Sequence, residues 1–393
     1  MIDRLAQALA LRDLTDPSAG EHAVQHVVTA IENALARAWR VPVRRDPGPR
    51  VVSVTDNYDR LRYDRDAVTR DQRYSRYVGP DRMLRSHTTA RIPALLDRLA
   101  AGGLDDAGPD DVVLSVPGIC YRRDVIDSGH VGEPHQLDLW RIRRGGPALG
   151  EEDLAAMLAI VLGAVLPGRV ACRSGRQSAL AGRVACRSGR QSALVTQPWH
   201  TPPSWHPYTT AGREIYVAGV EVGECGLAHP EVLPAGTTGL AMGLGLDRLT
   251  MLVKGIADIR LLRAGDPRVA EQMRDLRPYR PVSAMPPVPR DLSLAVAADL
   301  DAELLGDRVR ELLGPDADVV EEVAVLAETP YADLPDSARR RMGLRPGQKN
   351  VLVRVVLRAL TRTLTAAAAN ELRDRIYAGL HEGARHEWGT PPG

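Results

Sequence analysis

The strongest constraint on the fold comes from residues 112–143, where two strand-like segments are separated by a long charged loop. The chain runs VVLSV, then a charged stretch, then HQLDLWRI. This pattern is typical of two antiparallel strands joined by a loop. Because loops on rigid strands commonly carry binding and catalytic residues, we predict functional residues on this loop and at its edges.

Local patterns predict further elements before this hairpin. Apolar side chains recur at helical spacing over residues 21–39, and Asp16 and Pro17 ahead of them resemble a helix start signal. The segment VVSVTDNY after Pro49 predicts a strand that leads into a polar turn. The segment ARIPALLDRLA after Thr89 predicts a second helix.

The chain is expected to form two domains, because 393 residues exceed the size at which one hydrophobic core usually keeps growing. A proline-rich stretch, SAMPPVPR at 283–290, marks a change of character. The segments beyond it predict a strand, a helix, two strands and a helix, an order that suits a small ferredoxin-like domain with a split βαβ unit. We therefore predict a larger domain over 1–280, with an N-terminal helical segment over 1–48, and a smaller one over 284–393.

A tandem duplication interrupts the larger domain. GRVACRSGRQSALA at 168–181 is followed by GRVACRSGRQSALV at 182–195. One interpretation is a duplication tolerated in a surface loop, because lengthening a loop costs little chain entropy. The other is a basic flap whose arginines contact an RNA backbone.

Composition narrows the classes of protein that this chain resembles. With 51 basic and 50 acidic side chains, any contact with RNA would depend on local arginine patches. The four cysteines form no CxxC pair, so structural zinc is not expected. No run of about 18 apolar residues predicts a membrane span, and the N-terminus lacks a secretory signal, so we expect a cytosolic protein without a membrane partner.

Four separated stretches carry a resemblance to a known family, and they occur in the order typical of it. They are MLRSHTTARIPALL (83–96), CYRRDVIDSGHVGEPHQLDLW (120–140), VEVGECGLAHPEVL (220–233) and GLAMGLGLDRLTML (239–252). In these stretches the chain resembles phenylalanyl-tRNA synthetase, a class II aminoacyl-tRNA synthetase. Its tail resembles the anticodon-binding domain fused to the single-chain, organellar form of that enzyme.

The resemblance implies a fold class and an activity. The fold class is α+β, with an antiparallel-sheet class II catalytic domain and a small ferredoxin-like domain of the anticodon-binding type. The implied activity is the ATP-dependent activation of an amino acid as aminoacyl-AMP and its transfer to tRNA. The resemblance also implies a homodimer.

Adenylate formation explains why arginines stand in these motifs. A carboxylate attacks the α-phosphate of ATP, so fixed cations are needed where negative charge builds up. A guanidinium is always charged and binds phosphate through two N–H groups. The resemblance implies that Arg122 contacts the α-phosphate and that Arg248 lies beside the adenine and the γ-phosphate. The other residues that it places near ATP are Asp124, Pro134, His135, Gly243 and Gly245.

Two features of this ATP site remain open at this point. A glycine lets the backbone run close to a nucleotide, but helix packing is an alternative reason for Gly243 and Gly245. ATP would bring Mg²⁺, and Glu221 and Glu224 are the candidate ligands. Alternation along a strand puts these two residues on opposite faces, so only one of them is expected to reach the metal.

The substrate pocket departs from the family pattern. His206 and Tyr208, in SWHPYTTAG, stand where the family carries two phenylalanines. Cys225 stands at the position that resembles the floor of the family's substrate pocket. The residues that match those handling the amino group are His87, Thr89, Gln136 and Asp138. Polar atoms in the pocket predict a ligand that supplies a hydrogen-bonding partner.

Three functional hypotheses follow from this comparison. The first is a complete phenylalanine–tRNA ligase. The second is a related ligase that adenylates a more polar amino acid and passes it to a tRNA, a carrier or a small acceptor. The third is a non-catalytic RNA-binding relic. The chain contains no phenylalanine, which also suggests that it can be made when charged phenylalanine tRNA is scarce.

Overall fold

The computed structural model describes most of the chain as two compact units. The described ranges are 2–72, 74–102, 110–166, 170–172, 197–282, 285–360 and 362–386. Unit 1 comprises Met1–Tyr121, Glu133–Gly255 and Met273–Pro278, and unit 2 comprises Arg122–Gly132, Ile256–Gln272 and Tyr279–Gly393. The predicted division at 280–284 and the predicted N-terminal helical segment over 1–48 stay predictions. The duplicated insert at 168–195 lies outside the described residues except for 170–172, so both interpretations of it also stay predictions.

Unit 1 is built on an eight-stranded sheet in the order β1-β4-β5-β10-β9-β8-β7-β6. Pairing is antiparallel except between β1 and β4 and between β6 and β7. The predicted strand pair around the charged loop is β4 and β5, so this prediction is confirmed. The strands are β1 Val43–Arg45, β4 Asp111–Ile119, β5 His135–Arg144, β6 Val170–Cys172, β7 Gln197–His200, β8 Thr209–Val217, β9 Val220–Ala228 and β10 Thr237–Gly245; a separate pair consists of β2 Val51–Ser53 and β3 Arg82–Leu84.

The helices of unit 1 follow the predicted periodicity with two local differences. The predicted helix over 21–39 is α2, whose N-cap is His22, while Asp16 caps a short 3-10 turn instead. The strand predicted from VVSVTDNY ends early, because the Ser53 hydroxyl accepts from Asp56 N and starts α3. The helices are α1 Ile2–Ala10, α2 Ala23–Trp39, α3 Val54–Asn57, α4 Ile92–Ala100, α5 Glu151–Val165 and α6 Leu246–Lys254.

The two faces of the sheet have different coverings. One face carries a core in which Leu95 and Leu96 of α4 pack with Leu114 of β4 and Trp140 of β5. On the opposite side of the sheet, α2 and α5 contact each other and α5 contacts β9. Because successive side chains of a strand point to opposite faces, the α4 face receives alternate residues of β5, β9 and β10. This face holds the candidate site.

Unit 2 contains a three-stranded antiparallel sheet in the order β11-β13-β12. Its first and second strands are parallel with the third between them, which is the split βαβ arrangement. The predicted strand and helix order is confirmed, with one short extra helix, α9. The elements are α7 Pro267–Ala270, β11 Val288–Ala297, α8 Ala302–Leu313, β12 Val320–Pro330, α9 Asp336–Met342, β13 Gln348–Leu357 and α10 Ala366–Leu380.

None of the helices in the described ranges combines the length and apolar character that crossing a lipid bilayer would require.

A buried polar cluster ties the N-terminal segment of unit 1 to the sheet. The ring of His135 has no exposed surface; its Nδ1 lies 3.0 Å from an Asp247 oxygen, and its Nε2 accepts from Leu14 N at 3.0 Å. The backbone N–H of His135 donates to the other Asp247 oxygen at 2.6 Å. One carboxylate on α6 therefore holds the start of β5.

Replacing Asp247 with alanine is expected to lower the free energy of unfolding by about 3 kcal/mol, because His135 then loses two buried hydrogen bonds. Urea unfolding measures this change. Asp97→Ala is the matched control, since Asp97 pairs with Arg60 at the surface at 2.6 Å and should cost less than about 1 kcal/mol. Equal losses in both variants would contradict a special role for the cluster.

Candidate functional site

Two carboxylates flank a glycine on the α4 face of the sheet. Gly243 of β10 is in register with Asp138 of β5 on one side and with Glu224 of β9 on the other. A Cβ at residue 243 would stand 3.6 Å from Cγ of Glu224 and 4.0 Å from Oδ2 of Asp138. The missing side chain therefore leaves a space that both carboxylates border.

Asp138 is buried beneath hydroxyl donors. Its Oδ2 accepts from Thr88 Oγ1 at 2.7 Å, and its Oδ1 accepts from Thr89 Oγ1 at 2.9 Å and from Trp140 Nε1 at 3.3 Å. Burial raises the pKa of Asp138 to about 6, against the lowering effect of the hydrogen bonds from Thr88 and Thr89. Gln136, two residues earlier on the same face, accepts from Thr88 N at 3.3 Å. The structure thus brings the predicted Thr89, Gln136 and Asp138 together.

Aromatic rings line the same face. The Tyr208 ring centroid lies 5.9 Å from that of Trp140, 6.4 Å from that of Tyr63 and 6.3 Å from that of His206. The predicted His87 stacks on Tyr63 at 5.6 Å with an interplanar angle of 18°. These rings form one connected wall beside the space at Gly243, which we call the ring wall. The predicted His87, His206 and Tyr208 all belong to it.

Sequence analysis missed three members of this site. Thr88 sits beside the predicted Thr89, and Trp140 lies two residues beyond Asp138, so strand alternation could have placed it on the same face. Tyr63 carried no local signal, because it follows a short 3-10 turn, Asp59–Leu61, and reaches the ring wall only through the tertiary fold.

Glu224 is bound to two members of the ring wall, His206 and Tyr208. One oxygen lies 2.8 Å from His206 Nε2, and the other accepts a hydrogen bond from the Tyr208 hydroxyl. Burial alone would raise the pKa of Glu224, but the hydrogen bonds and the charge of His206 together hold this pKa below its usual value. The pKa of His206 is raised by the same contact, despite the opposing effect of burial. Both pKa shifts favour the ionised form of the pair.

These contacts argue against the predicted role of Glu224 as a Mg²⁺ ligand. The positive charge of His206, which lies beside this carboxylate, would repel a second cation there. Within the described ranges, no group of three or more His, Cys, Asp or Glu side chains is arranged to hold a metal ion. Glu221 is the remaining candidate.

Arg248 lies at the start of α6, which begins directly after β10. Its Nη1 donates to the Glu221 carbonyl at 3.0 Å and lies 3.5 Å from Oε2 of Glu221. Gly245 is the N-cap of this helix. Among the residues that the structure describes, a Cβ on Gly245 would meet only the Val222 carbonyl, at 3.7 Å, which is an ordinary contact distance. The predicted cation and the remaining metal candidate are therefore neighbours.

Comparison with known proteins relates this geometry to a family. The family profile described as "tRNA synthetases class II core domain (F)" matches residues 10–165 and 195–273. These ranges include Asp138, Gly243, Glu224 and the ring wall, and we call the space that these residues border the recess. This chain belongs to that family. It is 28% identical over 364 residues to the probable mitochondrial phenylalanine–tRNA ligase of Drosophila melanogaster, covering 83% of this chain and 74% of the relative.

Other class II relatives match shorter stretches. The phenylalanine–tRNA ligase alpha subunit of Aromatoleum aromaticum is 30% identical over 274 residues, covering 65% of this chain and 70% of that subunit. Among solved structures, pyrrolysyl-tRNA synthetase of Desulfitobacterium hafniense shares 14% identity over 66% of this chain and 77% of its own, with a TM-score of 0.43. The predicted membership of the class II synthetases, and the α+β fold class with it, is confirmed by the family profile.

Arg122 lies on the loop of this class II chain that joins β4 to β5, and this loop groups with unit 2. Its Nε is 3.4 Å from Oδ2 of the predicted Asp124. Within unit 2, Val323 N of β12 donates to the Ile126 carbonyl at 2.8 Å, and Gly306 of α8 packs against the Asp124 backbone. The loop that carries Arg122 is therefore held by tail elements.

Two predicted contacts of the class II site need correction. His135 was predicted at ATP, but its ring is fully buried against Asp247 and Leu14, so we assign it a structural role; Pro134, just before it, is partly exposed. Cys225 was predicted at the pocket floor, but alternation turns it to the face opposite Glu224, and burial raises its pKa to about 12. Ala241 packs in the same apolar cluster as Trp140 and Tyr208.

Proposed function

We propose that this chain is an ATP-dependent aminoacyl-tRNA ligase of the phenylalanine type. The observation that carries the proposal is the match of the class II core profile to residues 10–165 and 195–273, the two ranges that contain the recess residues. The phenylalanine–tRNA ligases of Drosophila melanogaster and Aromatoleum aromaticum reported above are 28% and 30% identical to this chain over the matched residues. The buried carboxylate, its hydroxyl donors and the ring wall form a recess suited to an amino group joined to an aromatic side chain.

The proposed reaction begins with attack of the amino acid carboxylate on the α-phosphate of ATP. Arg248 is proposed to neutralise the phosphates near adenine, and Arg122 is proposed to bind the α-phosphate. Asp124, Pro134, Gly243 and Gly245 are proposed to border the nucleotide.

A divalent ion is proposed to accompany ATP in this reaction. Mg²⁺ bound to ATP would spread the negative charge of the phosphates. The half-exposed carboxylate of Glu221 has the oxygen donors that this ion prefers, and it lies beside Arg248.

The amino end of the substrate is proposed to bind at Asp138. An ammonium group can occupy the space at Gly243, where the Asp138 carboxylate attracts it and Gln136 offers an amide oxygen. Thr88 and Thr89 hold the carboxylate by two hydrogen bonds, so its position is set before the substrate arrives.

The acceptor is proposed from the family membership of the chain. We propose tRNA as the acceptor, with the tail of unit 2 contacting it. The homodimer and the cytosolic location remain predictions. One relative bears the name alpha subunit and the other a mitochondrial name, so light scattering of the purified chain and fractionation of cells are the direct tests.

Pyrophosphate exchange with a panel of amino acids, followed by charging of total tRNA, tests the function. The expected result is exchange that depends on one amino acid and labelling of a tRNA fraction with the same amino acid. Exchange without charging would favour transfer to a carrier or a small acceptor. Absence of exchange with every amino acid would reject the proposal.

Substitutions of two glycines on adjacent strands, Gly243 and Gly223, test substrate binding and folding separately. Gly243→Ala places a Cβ at ordinary contact distance, so the protein should fold with a nearly unchanged Tm, while KM for the amino acid rises about tenfold because the Cβ enters the space between the carboxylates. Gly223→Ala places a Cβ 2.0 Å from the Gly243 carbonyl, so it should lower the stability by about 2 kcal/mol or more. Thermal melts and exchange kinetics check both, and an unchanged KM in Gly243→Ala would contradict the placement of the substrate.

A further inference from the structure

The recess contains two carboxylates that serve different sets of neighbours. Asp138 is surrounded by Thr88 and Thr89, on the side that we assign to the amino group. Glu224 lies across Gly243 and is bound to His206 and Tyr208, which belong to the ring wall. A carboxylate therefore stands in the part of the recess that faces the substrate's side chain.

Glu224 borders the space at Gly243 and also keeps solvent-accessible surface. Solvent reaches 37% of its side chain, whereas the Tyr208 ring beside it is only 3% exposed. Each carboxylate oxygen can accept more than one hydrogen bond, so the contacts with His206 and Tyr208 leave acceptor capacity towards this surface. A ligand that fills the recess would cover that surface and displace its water.

The displaced water sets a preference among ligands. An unsubstituted phenyl ring laid against Glu224 would remove water from an ionised carboxylate and return no hydrogen bond, which is costly. A ring that carries a hydroxyl or amino group would donate to the carboxylate, and hydrogen bonds to charged groups are the stronger ones. The surrounding rings of Tyr63, Trp140 and Tyr208 still favour an aromatic body.

We propose that Glu224 is a specificity-determining residue that selects an aromatic amino acid whose ring carries a hydrogen-bond donor. This inference rests on the proposed function, because it concerns the side chain of the amino acid that is activated. It differs from that function in predicting that phenylalanine is not the preferred substrate.

Pyrophosphate exchange measured with phenylalanine, tyrosine, 3-hydroxyphenylalanine and 4-aminophenylalanine tests the proposal. At least one donor-bearing amino acid is expected to exceed phenylalanine in kcat/KM by about tenfold or more. The ratio of kcat/KM for the best donor-bearing amino acid to kcat/KM for phenylalanine should fall by at least about tenfold in Glu224→Met. This variant keeps the side-chain length and removes the acceptor. Glu224→Gln, which retains a neutral acceptor, should give an intermediate ratio.

Glu214→Gln provides the matched control. Glu214 is the residue of β8 in register with Glu224, and its carboxylate binds Ser204 Oγ at 3.0 Å and Tyr216 OH at 3.1 Å. Its substitution should leave the ratio unchanged within about twofold. Circular dichroism of each variant confirms that the fold is retained.

The outcomes separate the two proposals. If phenylalanine exceeds all donor-bearing amino acids in the wild-type protein, the inference is overturned while the proposed function stands. A ratio that does not change in Glu224→Met also overturns it. If no amino acid supports exchange, the proposed function fails and this inference fails with it.

Discussion

Replacing Arg248 with alanine is expected to lower ATP-dependent pyrophosphate exchange by about 10³-fold, because the variant loses a fixed cation at the triphosphate. The guanidinium is positioned by the start of α6 and by its contact with the Glu221 carbonyl, and the charged residue beside it in this helix turn, Asp247, is acidic. The measurement is exchange at saturating amino acid over a range of ATP concentrations, with Tm as the check on folding.

Two further variants make this result specific. Arg248→Lys keeps a positive charge but not the two-pronged geometry of guanidinium, so it should recover only part of the rate. Arg268→Ala removes an arginine that is paired with Asp266 at the surface of unit 2, and it should not change the rate. Full exchange in Arg248→Ala would remove the proposed role of Arg248 in adenylation, whereas only a wild-type protein without exchange would favour the non-catalytic RNA-binding hypothesis.

Protonation of Asp138 is expected to weaken amino acid binding as the pH falls through about 6. Burial raises the pKa of this carboxyl to about 6, so below that pH it becomes neutral and no longer attracts an ammonium group. KM for the amino acid should therefore rise by about tenfold for each pH unit below 6. In Asp138→Asn, KM should be about 10²-fold higher at pH 7 and should not show this step.

The same pKa shift predicts how stability depends on pH. Because the folded pKa lies above the ordinary value of 3.8 for an aspartate, the native state holds a proton that the unfolded state has lost between about pH 4 and pH 6. The contribution of Asp138 to stability therefore falls as the pH rises through this window, by about 3 kcal/mol in total. Asp138→Asn should be more stable than the wild type at pH 7 but not at pH 4.

Urea unfolding of both proteins at pH 4 and pH 7 checks this prediction. A variant that is less stable than the wild type at pH 7 would show that the charged form of Asp138 is favoured in the folded protein. That result would also remove the physical reason for the step in KM.

Local sequence patterns were sufficient for the elements whose side chains follow one period. Alternation and helical spacing are properties of contiguous residues. They therefore predicted the strand pair β4 and β5, the helix α2 and the order of strands and helices along the tail. Boundaries depended on capping, as at Ser53, where one side-chain hydrogen bond starts a short helix in place of the predicted polar turn. Such bonds compete with the strand over only three or four residues, and a pattern averaged over a segment does not detect them.

The candidate site was predicted where a motif carried the information. Thr89, Gln136, Asp138, His206 and Tyr208 were named from the sequence, and the structure brings them to one face of one sheet. The sequence could not predict that Glu224 would join His206 and Tyr208, because that contact depends on the register between β8 and β9 and on the loop before β8. The motif also led to the prediction that His135 contacts ATP, because no local pattern shows that the partners of His135 are Asp247 and Leu14.

The sequence by itself determined the class II family, the order of strands and helices in the tail, and the residue types available for catalysis. Only the tertiary structure decided which face of the sheet each of those residues occupies, as Cys225 and Ala241 show. It also decided which carboxylate is buried under hydroxyl donors and which is ionised beside a histidine. The physical reason is that burial and the pairing of charges depend on contacts between residues that are far apart in the chain, and these contacts set the pKa of each group.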